Sequence, residues 1–214
     1  MKKGDFIRIN YIGRLESGEI FDITDEAAAK KEKVYNDKMK YGPLPVVVGA
    51  NFLISGLDKA VEDMNVGDIK DITILPEDAF GQRDPKLVKT VNASVFRDNK
   101  TSPQQGMIVN FSGMKGRIQS VSGGRVRIDF NNPLSGKTLL YHVEIIEKIE
   151  GSKEKIESVL EFFGVNDASI KINDNEAEIS ARIPDKMKET ISDIITSNVE
   201  GIAKIKFSET FEKK

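Results

Sequence analysis

The chain has 214 residues with no cysteine; 39% are hydrophobic and 31% charged, with 32 Lys and Arg against 34 Asp and Glu. That apolar content can build real cores and excludes a disordered chain, and the length suits one large domain or two small ones. A net charge of −2 gives no global positive field toward nucleic acid, and the lack of thiols excludes a disulfide framework and thiolate chemistry. The opening MKKGDFIRIN carries no apolar run of signal-peptide or membrane-span length, so a soluble cytoplasmic protein is expected.

Residues 5–15 alternate as a strand, with Ile7, Ile9 and Tyr11 on one face. Residues 16–19, ESGE, make a turn, and Ile20-Phe21 restarts the strand as a hairpin. Asp22 follows Phe21 directly, so its carboxylate must find a partner or face a cleft; a salt bridge or a turn cap is the ordinary outcome. Residues 24–41, charged and alanine-rich, read as a solvated loop with a helical turn or two. Pro43 and Pro45 then bracket Leu44 and lead into a short apolar strand at 46–48. Leu57, Ala60, Val61 and Met64 fall at i, i+3, i+4, i+7, the buried face of one amphipathic helix around which the first 150 residues are organised. Ser55 is its expected N-cap and residues 65–67 its stop. Phe52, Leu53 and Ile54, on the turn before it, either plug one end of the core or form the rim and floor of a ligand pocket. Residues 69–75 read as a strand with Ile72 and Ile74 inward, ended by Pro76.

From 85 to 132 the pattern is that of a small β domain. Val109, Phe111, Ile118, Val121, Val126, Ile128 and Phe130 recur at strand spacing, with turns at Ser112-Gly113 and Ser122-Gly123-Gly124. Residues 151–214 read as αββαβ. Ile156, Val159, Leu160 and Phe163 stripe a first helix; Ile170 and Ile172, then Ala177, Ile179, Ala181 and Ile183, mark two strands. A second helix follows Pro184, and Ala203, Ile205 and Phe207 close a third strand. With about sixty residues and no disulfide, such a piece has a marginal core that pairing with a second copy would relieve. It is read as a separate dimerisation domain.

Five strings, NYIGRLESGEIFD (10–22), PLPVVVGANFLISGLDKAV (43–61), VGD (66–68), DAFG (78–81) and LLYHVEII (139–146), resemble in order and spacing the FKBP-type peptidyl-prolyl cis-trans isomerases. DFNNPLSGKTL (129–139) is similar to the return segment of SlyD-type members, whose insert-in-flap domain acts as a chaperone. The fold class this implies is α+β: an antiparallel half-barrel sheet wrapped on one helix (1–84 and 133–150), an insert-in-flap domain (85–132) and the additional αββαβ domain (151–214). The implied activity is isomerisation of X-Pro bonds in unfolded or partly folded proteins, with no cofactor and no metal. Val95, Phe96, Met107, Ile108 and Met114 would be the chaperone surface. A non-catalytic chaperone or assembly factor gripping proline segments is the alternative.

The resemblance also implies the pocket. Tyr11, Phe21, Asp22, Ile54, Phe80 and Tyr141 match catalytic positions, and Leu44, Leu53 and Leu57 substrate-binding ones, with Leu57 as floor and the Ile54 N–H as donor to the substrate carbonyl. Taken alone, the tyrosines and phenylalanines are equally ordinary core residues. Three positions depart from the best-known members: Phe80 for tyrosine, Leu57 for tryptophan and Tyr141 for phenylalanine. Weaker binding of macrolide inhibitors with retained isomerase activity is expected. The sole histidine, His142, alternates with Tyr141 and so points away from the pocket. Lys115, Arg117, Arg125 and Arg127 read as the wet face of strands, and contact with nucleic acid, the ribosome or a membrane is not expected.

Overall fold

The computed structural model describes residues 1–98, 102–111 and 113–209. Its elements in chain order are β1 (Phe6–Leu15), β2 (Ile20–Ile23), α1 (Glu26–Lys31), β3 (Leu44–Val47), α2 (Ser55–Glu62) and β4 (Ile69–Ile74). Then come β5 (Val88–Asn92), α3 (Ser94–Asp98), β6 (Ile108–Phe111), β7 (Met114–Ser122), β8 (Arg125–Asp129) and β9 (Leu139–Ile149). The chain ends with α4 (Ser152–Phe162), β10 (Ser169–Asn173), β11 (Glu176–Ser180), α5 (Asp185–Asn198) and β12 (Lys204–Ser208). This is an α+β architecture in two compact units, Met1–Leu75 with Thr138–Lys214, and Pro76–Lys137.

The first unit is built on an antiparallel sheet in the order β2-β1-β9-β4, with β3 also pairing β1. β1 is long enough to hold β3 along Phe6 to Ile9 and β2 along Ile12 to Arg14. Its whole length pairs β9, from Phe6 opposite Ile149 to Leu15 opposite Leu139. Period-two alternation sends Ile7 and Ile9 to one face, where they are fully buried, as are Val143 and Ile145 on β9. α2 lies against β4 and buries Leu57 and Val61, with Met64 buried just beyond its end. Its N-cap is Ile54, not Ser55, which is the first helical residue. The cap is made by backbone: Ile54 is extended (φ −63°, ψ 149°), and its carbonyl accepts from the Leu57 and Asp58 N–H groups at 3.0 Å. Beyond the helix, Gly67 turns at φ +86° and donates its N–H to Ile145 O at 2.8 Å, which ties the turn to β9.

Residues 151–208 follow the αββαβ order. β10 and β11 form a hairpin around Asp174, a non-glycine residue at φ +50°, and α5 carries the chain across to β12, parallel to β11. This piece is not separate from the sheet. Phe6, Val47 and Ile149 share one buried cluster with Ile156, Val159, Leu160, Ile179, Ile191 and Ile195. Phe52 packs on Phe162 with ring centroids 4.2 Å apart, and Arg8 reaches Glu161 at 2.8 Å. The premise of a marginal core needing a second copy is thereby altered, because side chains of the first fifty residues complete that core within the chain.

The second unit is a four-stranded antiparallel sheet in the order β5-β8-β7-β6. Its core is small: Phe96, Val109, Ile118, Val126 and Ile128, with Val91, Phe111 and Phe130 packed against it. Gly116 is needed in β7, since a Cβ there would lie 2.7 Å from Ile128 and Phe130. Buried Asp129 pairs with Arg83 and accepts hydrogen bonds from Gln119 Nε2 and from the Asn131 backbone and side chain. Of the turn read at Ser112-Gly113, Ser112 lies outside the described residues.

Candidate active site

The aromatic wall expected on the inward face is assembled where β2 and β9 flank β1. Gly13 stands opposite Asp22 on one side and Tyr141 on the other. Two residues earlier on the same face is Tyr11. A Cβ on Gly13 would fall 2.6 Å from Phe21 Cζ, so a glycine is what lets the Phe21 ring lie over the β1 backbone. Tyr141 meets Phe21 edge-on, with centroids 5.6 Å apart and planes at 82°, and meets Tyr11 at 5.6 Å and 63°. Such pairs contribute about 0.5–1.5 kcal/mol each beyond the area they bury.

Asp22 finds its partners in the Tyr11 hydroxyl and in the backbone beside it. The Tyr11 hydroxyl donates to Asp22 Oδ2 at 2.7 Å, and the Ile23 N–H donates to Oδ1 at 3.0 Å. Burial, and then the neighbouring Asp22 charge, push the Tyr11 phenol far above its ordinary value. The same two causes push Tyr141 up to about 12. Both phenols therefore stay protonated through the neutral range, which holds the Tyr11 hydroxyl as a donor to the carboxylate. Buried Thr24 fixes the strand behind them: its Oγ1 accepts from the Tyr11 N–H at 2.9 Å and donates to Asn10 Oδ1 at 3.1 Å.

Around this group the other positions are distributed unevenly. Leu57 is buried; Leu44, opposite Ile9 on β3, and Leu53 and Ile54 at the entrance of α2 are half-buried. Among the described residues no backbone acceptor takes the Ile54 N–H. Phe52 is turned instead to Phe162 and Phe163, so of the three apolar turn residues one plugs a core and two remain beside the helix entrance. Phe80 belongs to the second unit, where it is exposed and its carbonyl accepts from Ser135 Oγ at 2.9 Å. His142 is exposed, with Nδ1 2.7 Å from Asp71 Oδ1. A groove of about 460 Å³ is lined by Ile12, Arg14, Asp71, Ile72, Thr73, Leu140, Tyr141 and His142.

Of the expected apolar surface of the second unit, Val95, Met107, Ile108 and Met114 are exposed, but Phe96 is a core residue, 7% exposed. It sits on α3, which turns it inward onto Val109 and Ile118. A shallow groove of about 330 Å³ is lined by Val95, Phe96, Met107, Ile108, Val109 and Phe111. The reading of residue types alone passed over Gly13 and Thr24. The signal for Gly13 was present as a lone glycine inside a strand, the mark of a close approach; Thr24 had none.

The chain is similar to several known proteins. A short-type peptidyl-prolyl cis-trans isomerase of Methanocaldococcus jannaschii is 36% identical over 145 residues, covering 68% of this chain and 92% of that protein. A probable FKBP-type 16 kDa peptidyl-prolyl cis-trans isomerase of Pseudomonas fluorescens is 32% identical over 146 residues, 66% of this chain and 87% of its own. The chain belongs to the FKBP-type peptidyl-prolyl cis-trans isomerases. The SlyD isomerase of Helicobacter pylori is 30% identical over 126 residues, 58% of this chain and 68% of that one, and the family model for the IF domain of FKBP26 matches residues 91–134. As an FKBP-type enzyme the protein interconverts the two planar forms of an X-Pro bond.

Proposed function

We propose that this isomerase accelerates proline-limited protein folding by favouring the twisted X-Pro amide against the wall formed by Tyr11, Phe21, Asp22 and Tyr141. The observation that carries this reading is the contact group itself, three aromatic rings around one carboxylate already satisfied by Tyr11. Amide resonance sets the uncatalysed barrier at roughly 18–20 kcal/mol, and rotation makes and breaks no bond. Catalysis needs only tighter binding of the rotated form than of either planar one. Rotation removes resonance and polarity from the amide, so apolar walls supplied by Phe21, Tyr141, Leu44, Leu53 and Leu57 favour it. The Ile54 N–H is the donor assigned to the substrate carbonyl. Lowering the barrier by about 4 kcal/mol would raise the rate by roughly a thousandfold. The exposed apolar side chains of the second unit, Val95, Met107, Ile108 and Met114, are assigned the holding of unfolded segments.

Isomerisation of a proline tetrapeptide tests the site. Asp22→Ala leaves the Tyr11 hydroxyl without its acceptor and is expected to lower kcat/KM by at least about tenfold. Full activity in that variant, or in Phe21→Ala, would remove the wall from the mechanism. With no proton transferred, the rate is expected to stay flat between about pH 6 and pH 9. Refolding of a proline-limited protein by the full chain, beside a version with residues 85–132 replaced by a short loop, tests the holding role. The loop version is expected to lose protein refolding while keeping tetrapeptide turnover, and equal losses in both assays would make the insert structural.

A further inference from the structure

The net charge of −2 conceals a division. Residues 85–132 contain eight Lys and Arg against two Asp and Glu, while the rest of the chain carries the acidic excess. The sheet gathers half of those cations on one side. In β7 Gly116 and Ile118 are buried and Lys115 and Arg117 exposed; in β8 Val126 and Ile128 are buried and Arg125 and Arg127 exposed. Cross-strand register makes this a single face. Arg117 stands opposite Ile108 and Asp129, Arg127 opposite Ser120 and Thr90, Arg125 opposite Ser122 and Asn92, and Lys115 opposite Asn110. The one carboxylate in these rows, Asp129, is buried and paired with Arg83, so it neutralises none of the four. Ile108, 56% exposed, is the large apolar side chain set among them.

We propose that this face selects the clients of the inserted unit, favouring unfolded polypeptide segments in which acidic residues alternate with apolar ones. The inference rests on the holding role proposed above and adds its substrate class. An extended chain laid along a strand repeats its side-chain spacing every second residue, the spacing of Arg125 and Arg127, so the carboxylates of one edge meet the cations. Base stacking has no platform here, since Phe111 and Phe130 pack toward the core and no aromatic side chain stands in these rows. A short acidic peptide is held within a Debye length of the four cations.

The test uses the full chain and two labelled, unfolded peptides with the same apolar residues, one carrying Asp and Glu at its polar positions and the other Lys. Fluorescence anisotropy is expected to show the acidic peptide bound about tenfold more tightly at about 0.05 M salt, with the preference lost by about 0.5 M. Replacing Arg125 and Arg127 by Gln is expected to erase the preference without abolishing binding, and replacing both by Lys to preserve it, with circular dichroism reporting that each variant is folded. Equal affinity of the wild-type chain for both peptides overturns the charge selection and leaves the holding role standing. Binding of neither peptide overturns the holding role and this inference with it. A mixed-sequence RNA that displaces the acidic peptide, with a steeper salt dependence than the peptide itself, assigns the face to nucleic acid instead.

Discussion

Two additions of similar length have been absorbed by this sheet in opposite ways. Residues 151–208 bury α4 and α5 in a cluster that includes Phe6, Val47 and Ile149, so the core of the addition is shared with one face of the sheet. Residues 76–137 keep a core of their own, centred on Phe96, Val109, Ile118, Val126 and Ile128. The difference lies in where the apolar faces are spent. β1 is buried on both sides at its start, Phe6 on one face and Ile7 on the other, and the second face needs a cover that α4 supplies. The inserted sheet instead leaves one side cationic and wet, so it has a surface to offer.

The largest effect is expected from ending the chain at Glu150. That exposes Phe6, Val47, Ile149 and Phe52 together, and the shortened protein is expected to unfold at a much lower temperature or to aggregate, as followed by thermal unfolding and sedimentation. A shortened chain as stable as the parent would show that the addition is an independent module, and a parent that alone sediments as a dimer would give it the assembly role expected from the sequence. Next in size, Phe6→Ala is expected to cost about 3–5 kcal/mol in chemical denaturation of the sheet-bearing unit, whereas Phe96→Ala should open the inserted unit selectively, as hydrogen exchange would report. Loss of protection across both units in Phe96→Ala would erase the distinction between them. The smallest effect is alkaline. Tyr141 keeps its proton in the folded protein up to about pH 12, while an unfolded chain releases it near its ordinary value of about 10. The folded state then binds more protons, so stability is constant below that range and falls as pH rises through it; Tyr141→Phe should flatten the slope in a denaturation series above about pH 10.

Much of the sheet was legible because alternation survives burial on one side. Ile7, Ile9 and Tyr11 fell on one face as their spacing demands, and Leu57, Val61 and Met64 marked the helix. What could not be read was which partner each apolar residue meets. Phe6 and Val47 look like ordinary strand residues, and nothing local says that they close against α4 and α5. Phe96 looked like surplus in a small domain because the short helix that turns it inward carries little signal of its own. At the candidate site, Asp22 could be flagged as a carboxylate in need of a partner, but the Tyr11 hydroxyl that satisfies it is an effect of the hairpin's register. Ser55 misled because cap preference is statistical, and here the backbone of Ile54 takes the role.

The strands that bracket the inserted unit are antiparallel neighbours, and Ile74 stands directly opposite Leu139. Their ends therefore lie about 5 Å apart, the spacing of adjacent strands, and the sheet presents a socket there. Any module whose own termini meet at that separation could be spliced in without disturbing β1 or α2. A body of this kind can exchange its inserted unit as a single cut-and-paste event, with the sheet and its helix left as they are.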